Sequence, residues 1–222
     1  MTTEFLYPFQ HAQTGDVGAL LADVARSTRA KVAEIEALRA EVLSTEGAAL
    51  AACATAMAAR FTAGGRLHVF GNGGSATDAL AVASLHVDPG PGWRPLPALA
   101  LPADIATLTA LANDVGFEVV FARPLVAAGR PADIAYGLST SGGSANVLRG
   151  LAAARELGML TVGLAGAGGG AMAEAAVPDA TGRRGIEHLF VMPSSSVHRI
   201  QEAQTTVYQV LWELVQVALG PP

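Results

Sequence analysis

The chain holds one cysteine, Cys53, among 222 residues, so no internal disulfide can form. Its place in an Ala-rich helical pattern predicts a small, buried, apolar role. Charged residues make up only 15% of the chain and its net charge is -5. That excludes broad electrostatic binding to nucleic acid, where phosphate contacts dominate affinity. No segment approaches the roughly 20 strongly apolar residues of a bilayer span. The longest candidates, GAALAACATAMAA and ALALPA, are short, Ala-dominated or interrupted, and no membrane partner is expected. The start, MTTEFLYPFQ, lacks the basic residues and apolar core of a secretory signal, which predicts a cytoplasmic protein. Internal repeats, low-complexity tails and linkers are also missing, and a hydrophobic content of 51% excludes disorder and favours one domain with a large core and buried subunit interfaces.

What is present begins with helix. From about Asp16 to Leu43, Val17, Leu20, Leu21, Val24, Val32, Ile35, Leu38 and Val42 recur at three- and four-residue intervals, predicting a long amphipathic helix. A second, Ala-rich helix is expected from Gly47 to Thr62, stopped by Gly64 and Gly65. The period then changes. The apolar runs RLHVFG, LPALAL, DIAYGLS, MLTVGLAG and EHLFVMP alternate with helical patterns around Ala103–Leu111, Phe117–Ala127, Ser144–Leu157, Ala171–Ala176 and Val197–Leu219. Five strands separated by helices predict an α/β domain whose parallel sheet is covered on both faces.

Ligands of such sheets bind beyond the carboxyl ends of the strands, and two Gly- and Ser-rich turns follow strands here. One is GNGGS at 71–75, the other STSGGS at 139–144. A strand, a glycine turn and a helix start leave backbone N–H groups unpaired with the positive end of a helix dipole behind them, which suits an anion. Ser139, Thr140, Ser141 and Ser144 add four hydroxyl donors. No GKS or GKT triplet is present, and GNGGSA lacks the GxGxxG spacing, so neither a P-loop nor a dinucleotide fingerprint is formed. The plain alternative is two turns in which Ser75 or Ser144 caps a helix.

GNGGSA, ALANDVGF at 110–117, LSTSGGSANV at 138–147 and RIQEAQ at 199–204 together resemble the phosphoheptose isomerase group of the sugar isomerase (SIS) domain family. The resemblance runs from about Ala48 to Leu219. It implies a three-layer α-β-α sandwich on a five-stranded parallel sheet, preceded by N-terminal helices: residues 1–47 as a segment with an oligomerisation helix, and 48–222 as the SIS domain. It also implies a homotetramer with a phosphosugar, such as sedoheptulose 7-phosphate, bound at subunit interfaces. By position, Asn72, Gly73 and Ser75 would line the sugar, with Asp114 a further pocket residue. Ser139, Thr140, Ser141 and Ser144 would hold the phosphate, and Gln201 would reach the hydroxyls.

The chain departs from that pattern where the chemistry lies. Ketose–aldose isomerisation needs a positioned base and acid. The resemblance implies a Glu on the helix after the first loop, a His on the last helix and, in metal-binding members, another His one turn before the Glu. Leu85, Gln209 and Ala81 stand at those positions, and none of the three titrates. His198, beside Arg199 and Gln201, is the candidate for a rebuilt catalytic group. His86 is adjacent to Leu85 but about 100° away around a helix. His68 in the first strand reads as packed, Glu202 as an ion-pair partner of an Arg, and His11 and His188 have no identifiable partner. With those positions empty and the histidines scattered, no zinc or other cofactor is expected. The runners-up are a non-catalytic tetrameric interaction protein, resembling the replication initiator-associating branch of the same group, and a sugar-phosphate sensor.

Overall fold

The structure is a computed structural model that describes residues 17–221. His11 and Asp16 lie outside the described residues. Chain contacts divide it into two compact units, with the boundary between Ala37 and Leu38. Helix α1, Val17–Thr62, is one unbroken helix of 46 residues rather than the two expected. Ser44 and Thr45, which ordinarily compete with helix, instead donate their hydroxyls back to the Glu41 carbonyl at 2.8 and 3.0 Å. Gly47 costs only about 1 kcal/mol relative to Ala in a helix, too little to break one that is anchored further along.

In the first unit, residues 17–37 are helical, and Val17, Leu20, Leu21, Val24 and Val32 are exposed. In the second, Leu50, Cys53, Ala54, Met57 and Ala58 of the same helix are buried. Among the described residues, α1 is the one helix long and apolar enough to cross a membrane. Of its most apolar window, 33% is buried inside the fold.

The second unit continues through β1 (Leu67–Gly71), α2 (Gly74–Val87), β2 (Ala98–Ala100), α3 (Ile105–Asp114), α4 (Ala122–Ala128) and β3 (Ile134–Ser139). It ends with α5 (Ala145–Glu156), β4 (Leu160–Gly166), α6 (Gly170–Ala175), β5 (His188–Met192) and α7 (Val197–Leu219). The five expected strands are all present. The helix expected over Phe117–Ala127 is split into a 3₁₀ turn at Phe117–Val119 and α4, after Gly116 turns the chain at φ 146°.

All four strand pairings are parallel and the order is β2-β1-β3-β4-β5. From β1 the chain goes outward to β2, and from β3 it goes the other way, so the topological switch point lies between β1 and β3. Strands β1, β3 and β4 are buried along their whole length, as a sheet covered on both faces requires. On one face Phe70, Ala135 and Ala165 pack with Val120, Phe121, Leu125, Val147 and Leu151 under α4 and α5. The alternate residues Leu67, Val69, Ile134, Tyr136 and Leu138 are buried on the other, where α2 and α7 pack.

The amino ends of β1 and β3 are tied by Asp133, which is 1% exposed. Its carboxylate accepts from the Arg66 and Arg130 backbone N–H groups at 2.9 and 3.0 Å and from the Arg130 guanidinium at 3.1 Å, and lies 3.3 Å from His68 Nε2. Burial alone would raise its pKa, but those donors outweigh it and hold the carboxyl below the usual range. His68 is therefore packed and partnered, as its alternation with apolar residues predicts.

Candidate functional site

The register Gly71↔Leu138 sets the ends of β1 and β3 side by side, so the GNGGS and STSGGS loops emerge together at the switch point. They are joined there. Asn72 Nδ2 donates to Asn146 Oδ1 and Asn146 Nδ2 to Asn72 Oδ1, each at 2.8 Å. Asn146, which the residue-by-residue reading gave no role, is 3% exposed, and its Oδ1 also accepts from the Val147 N–H at 3.0 Å.

In the second loop Ser139 Oγ lies 3.0 Å from Ser144 Oγ and 3.4 Å from Ser141 Oγ, while Ser141 Oγ accepts from the Gly143 N–H at 3.2 Å. Three hydroxyls thus converge within a single loop. Ser144 occupies the N-cap position of α5 but makes no side-chain capping bond; it turns to Ser139 instead, against the plain capping alternative. Gly142 is required: its φ is +64°, and a Cβ there would lie 2.0 Å from the Gly169 carbonyl oxygen. Thr140 is half-buried and Ser141 exposed.

In the first loop Gly73, at φ +55°, is the N-cap of α2, again without a side-chain cap, and Ser75 is 4% exposed in the first turn. Neither N-cap residue caps its helix with a side chain. In α2 the Ser75 and Ala76 N–H groups donate to the Asn72 and Gly73 carbonyls at 3.0 and 2.9 Å, and in α5 the Val147 N–H donates to Asn146 Oδ1, so only the first N–H groups of each helix are left for a ligand. Gln201, on the first turns of α7, lies over this loop: a Cβ on Gly74 would meet its Nε2 at 2.1 Å. Asp78, on α2, has its Oδ2 buried without a hydrogen-bond partner. Burial raises the Asp78 carboxyl above its ordinary range, with the nearby Gln201 amide opposing the shift.

Other expected members stand apart. Asp114 is exposed at the end of α3 and accepts from Asn113 Nδ2 at 2.6 Å rather than from either loop. His198 is exposed on the first turn of α7, and the adjacent Arg199 pairs with Glu202 as expected. His86 is turned inward: its ring is 2% exposed, Nδ1 lies 2.8 Å from the Val82 carbonyl, and burial lowers its pKa to about 4. It cannot face a ligand. Leu85 is half-buried, while Ala81 and Gln209 are exposed. The polar-aromatic stripe of α7 is split by burial, with Tyr208 and Trp212 in the core and Gln209 in solvent. Cys53 is wholly buried, and burial, with the negative charge of Glu187 adding, pushes its thiol up to about 12.

A parallel sheet of this order, with paired glycine loops at its switch point and a helix laid over them, defines a class. The SIS domain family model matches residues 32–166, and the chain belongs to that family. Within it, the phosphoheptose isomerase of Roseiflexus sp. (strain RS-1) is 40% identical over 196 residues, covering 86% of this chain and 94% of that protein. The phosphoheptose isomerase of Aquifex aeolicus is 44% identical over 154 residues, covering 69% and 75%. Among solved structures, a phosphoheptose isomerase from Neisseria gonorrhoeae superposes with a TM-score of 0.77 at 30% identity, covering 87% of this chain and 99% of that one. One from Francisella tularensis gives 0.78 at 28%.

Proposed function

We propose that this chain binds a ketose phosphate of the sedoheptulose 7-phosphate class in the crevice between the GNGGS and STSGGS loops. The observation that carries this reading is the convergence of Ser139, Ser141 and Ser144 at the uncapped start of α5. Hydroxyl and backbone donors gathered on a helix dipole suit a phosphate dianion. Thr140 completes that group, while Asn72, Gly73, Ser75 and Gln201 meet the sugar; Asp114, which stands apart from both loops, is left out of the pocket. The relatives that carry the name phosphoheptose isomerase support the same substrate class.

Isomerisation does not run on the group's usual pair here, because Leu85 and Gln209 neither accept nor deliver a proton. Acid and base groups each contribute roughly 10²–10⁴-fold, so turnover is low, and residual proton transfer falls to His198. No metal is assigned to the site. The exposed Val17, Leu20, Leu21 and Val24 of α1, spaced to share one helix face, support self-association, which we read as the homotetramer. A ligand-responsive sensor follows if binding proceeds without turnover. Calorimetry with sedoheptulose 7-phosphate, comparing the wild-type chain with Ser141→Ala, tests the reading; equal affinities would remove the loop assignment.

A further inference from the structure

The opposite end of the sheet carries a second polar cavity, of about 450 Å³, lined by Arg155, Gly158, Met159, Gly182, Arg183, Arg184, Glu187 and His188. We propose that it is a binding site for a small phosphate-bearing anion, separate from the crevice at the strand carboxyl ends and independent of what that crevice binds.

The charge balance is the first argument. In a chain of net charge -5, three guanidiniums line this cavity against the single carboxylate of Glu187. Arg155 is neutralised by Asp179, with Glu156 a further 3.9 Å neighbour, but neither Arg183 nor Arg184 forms an ion pair among the described residues. Like charges gathered around one concavity repel unless an anion joins them, and guanidinium forks match phosphate oxygens two at a time.

The second argument is that the cluster is held in place. Asp179 grips Arg155 on α5 and also accepts from the backbone N–H groups of Thr181 and Arg183, at 2.8 and 3.1 Å. The Asp179 N–H in turn donates to the Arg183 carbonyl at 2.8 Å. The segment bearing Arg183 and Arg184 is thereby tied to the last turn of α5. Arg155 Nε is buried and has no hydrogen-bond partner. Arg60 adds a fourth guanidinium beside the cavity by donating to the Gly158 carbonyl at 3.2 Å. His188 is held below its usual range chiefly by burial, with Glu187 opposing the shift and Arg184 adding to it by a smaller amount.

Size and place complete the case. The volume falls within the roughly 300–1,000 Å³ of small-ligand sites. Met159 lies at the entry of β4, whereas Gly166 at its exit abuts the Thr140 carbonyl. Seven strand residues, roughly 20 Å, separate the two ends.

The test uses inorganic pyrophosphate as probe. Ser141→Ala weakens the crevice, and calorimetric titration of that full-length variant is compared with the same chain carrying Arg183→Gln and Arg184→Gln in addition. Both variants are first matched in thermal midpoint, since the replaced side chains are exposed. The expected result is one pyrophosphate bound by Ser141→Ala, with the His188 ring signals moving in the proton NMR spectrum, and at least tenfold weaker binding after the two arginines are replaced. Equal binding by both variants, or none by Ser141→Ala, overturns the site.

Discussion

Asn72 and Asn146, 74 positions apart in the chain, exchange two amide hydrogen bonds of 2.8 Å and so lock the GNGGS loop to the start of α5. Each amide presents its donor to the other's acceptor, an arrangement that no isosteric acid can satisfy, since a carboxylate has no N–H to return. Replacing Asn146 by Ala leaves the half-buried amide of Asn72 without its partner and removes the acceptor of the buried Val147 N–H. We expect a loss of about 1–3 kcal/mol in denaturant unfolding. A double-mutant cycle with Asn72→Ala should show coupling of about 1 kcal/mol or more; additive losses would mean that the pair does not act as a unit.

Ser141→Ala removes one exposed hydroxyl that faces its neighbours Ser139 and Gly143. The fold should hardly notice. A hydrogen bond to a charged group is worth about 1.5–3 kcal/mol, so affinity for sedoheptulose 7-phosphate should fall roughly tenfold or more, with the thermal midpoint of the free protein unchanged.

Much of this arrangement is legible in the sequence, and the reasons differ element by element. The five strands are short apolar runs bounded by glycine and helix, a pattern with few other solutions. The last helix is fixed at its start by Ser196, whose side chain accepts from the Arg199 N–H. The continuity of α1 through Ser44–Gly47 was not legible, because local propensity argues for a break there and packing of Leu50 to Ala58 overrides it. The role of Asn146 was equally hidden. Nothing local marks an amide inside a helix start as the partner of another 74 residues away, although it stands within the quoted LSTSGGSANV motif. The switch point itself is a property of strand order, which hydrophobic period does not encode.

Leu85 and Gln209, which we propose stand where the group carries its acid–base pair, offer a direct probe of chemistry. Leu85→Glu with Gln209→His places a carboxylate on α2 and an imidazole on α7, two helices that pack together. The double variant should convert sedoheptulose 7-phosphate to the aldose phosphate at least 10²-fold faster than the parent chain, following the usual worth of an acid–base group. Either single change should gain far less. Equal rates in all four proteins would show that proton transfer in this chain is already carried by another group, and His198→Ala would then be expected to abolish it.

The acid limb of stability should report on His86. Its pKa, near 6.5 when unfolded, is lowered to about 4 in the fold by burial, against the opposing bond to the Val82 carbonyl. Above pH 6.5 neither state takes up the proton and there is no effect. Between 6.5 and about 4 the unfolded chain binds a proton that the folded chain refuses, so stability falls as pH falls. Below about 4 both states are protonated and the loss levels off, at ~3 kcal/mol. His68 and His188 shift in the same direction, so the comparison is with His86→Leu. Unfolding free energies measured from pH 8 to 4 should fall less steeply for that variant, and identical slopes would place the ring in a more solvated site.

The central claim is that the crevice between β1 and β3 holds a ketose phosphate while the usual acid–base pair is gone. It is tested most directly by titrating the full chain with sedoheptulose 7-phosphate in a calorimeter and following the same sample in D₂O by NMR. The account predicts saturable binding that Ser141→Ala weakens, with aldose phosphate and deuterium at C2 accumulating only slowly. Absence of binding, or conversion and exchange as fast as in the double variant with the pair restored, would contradict it.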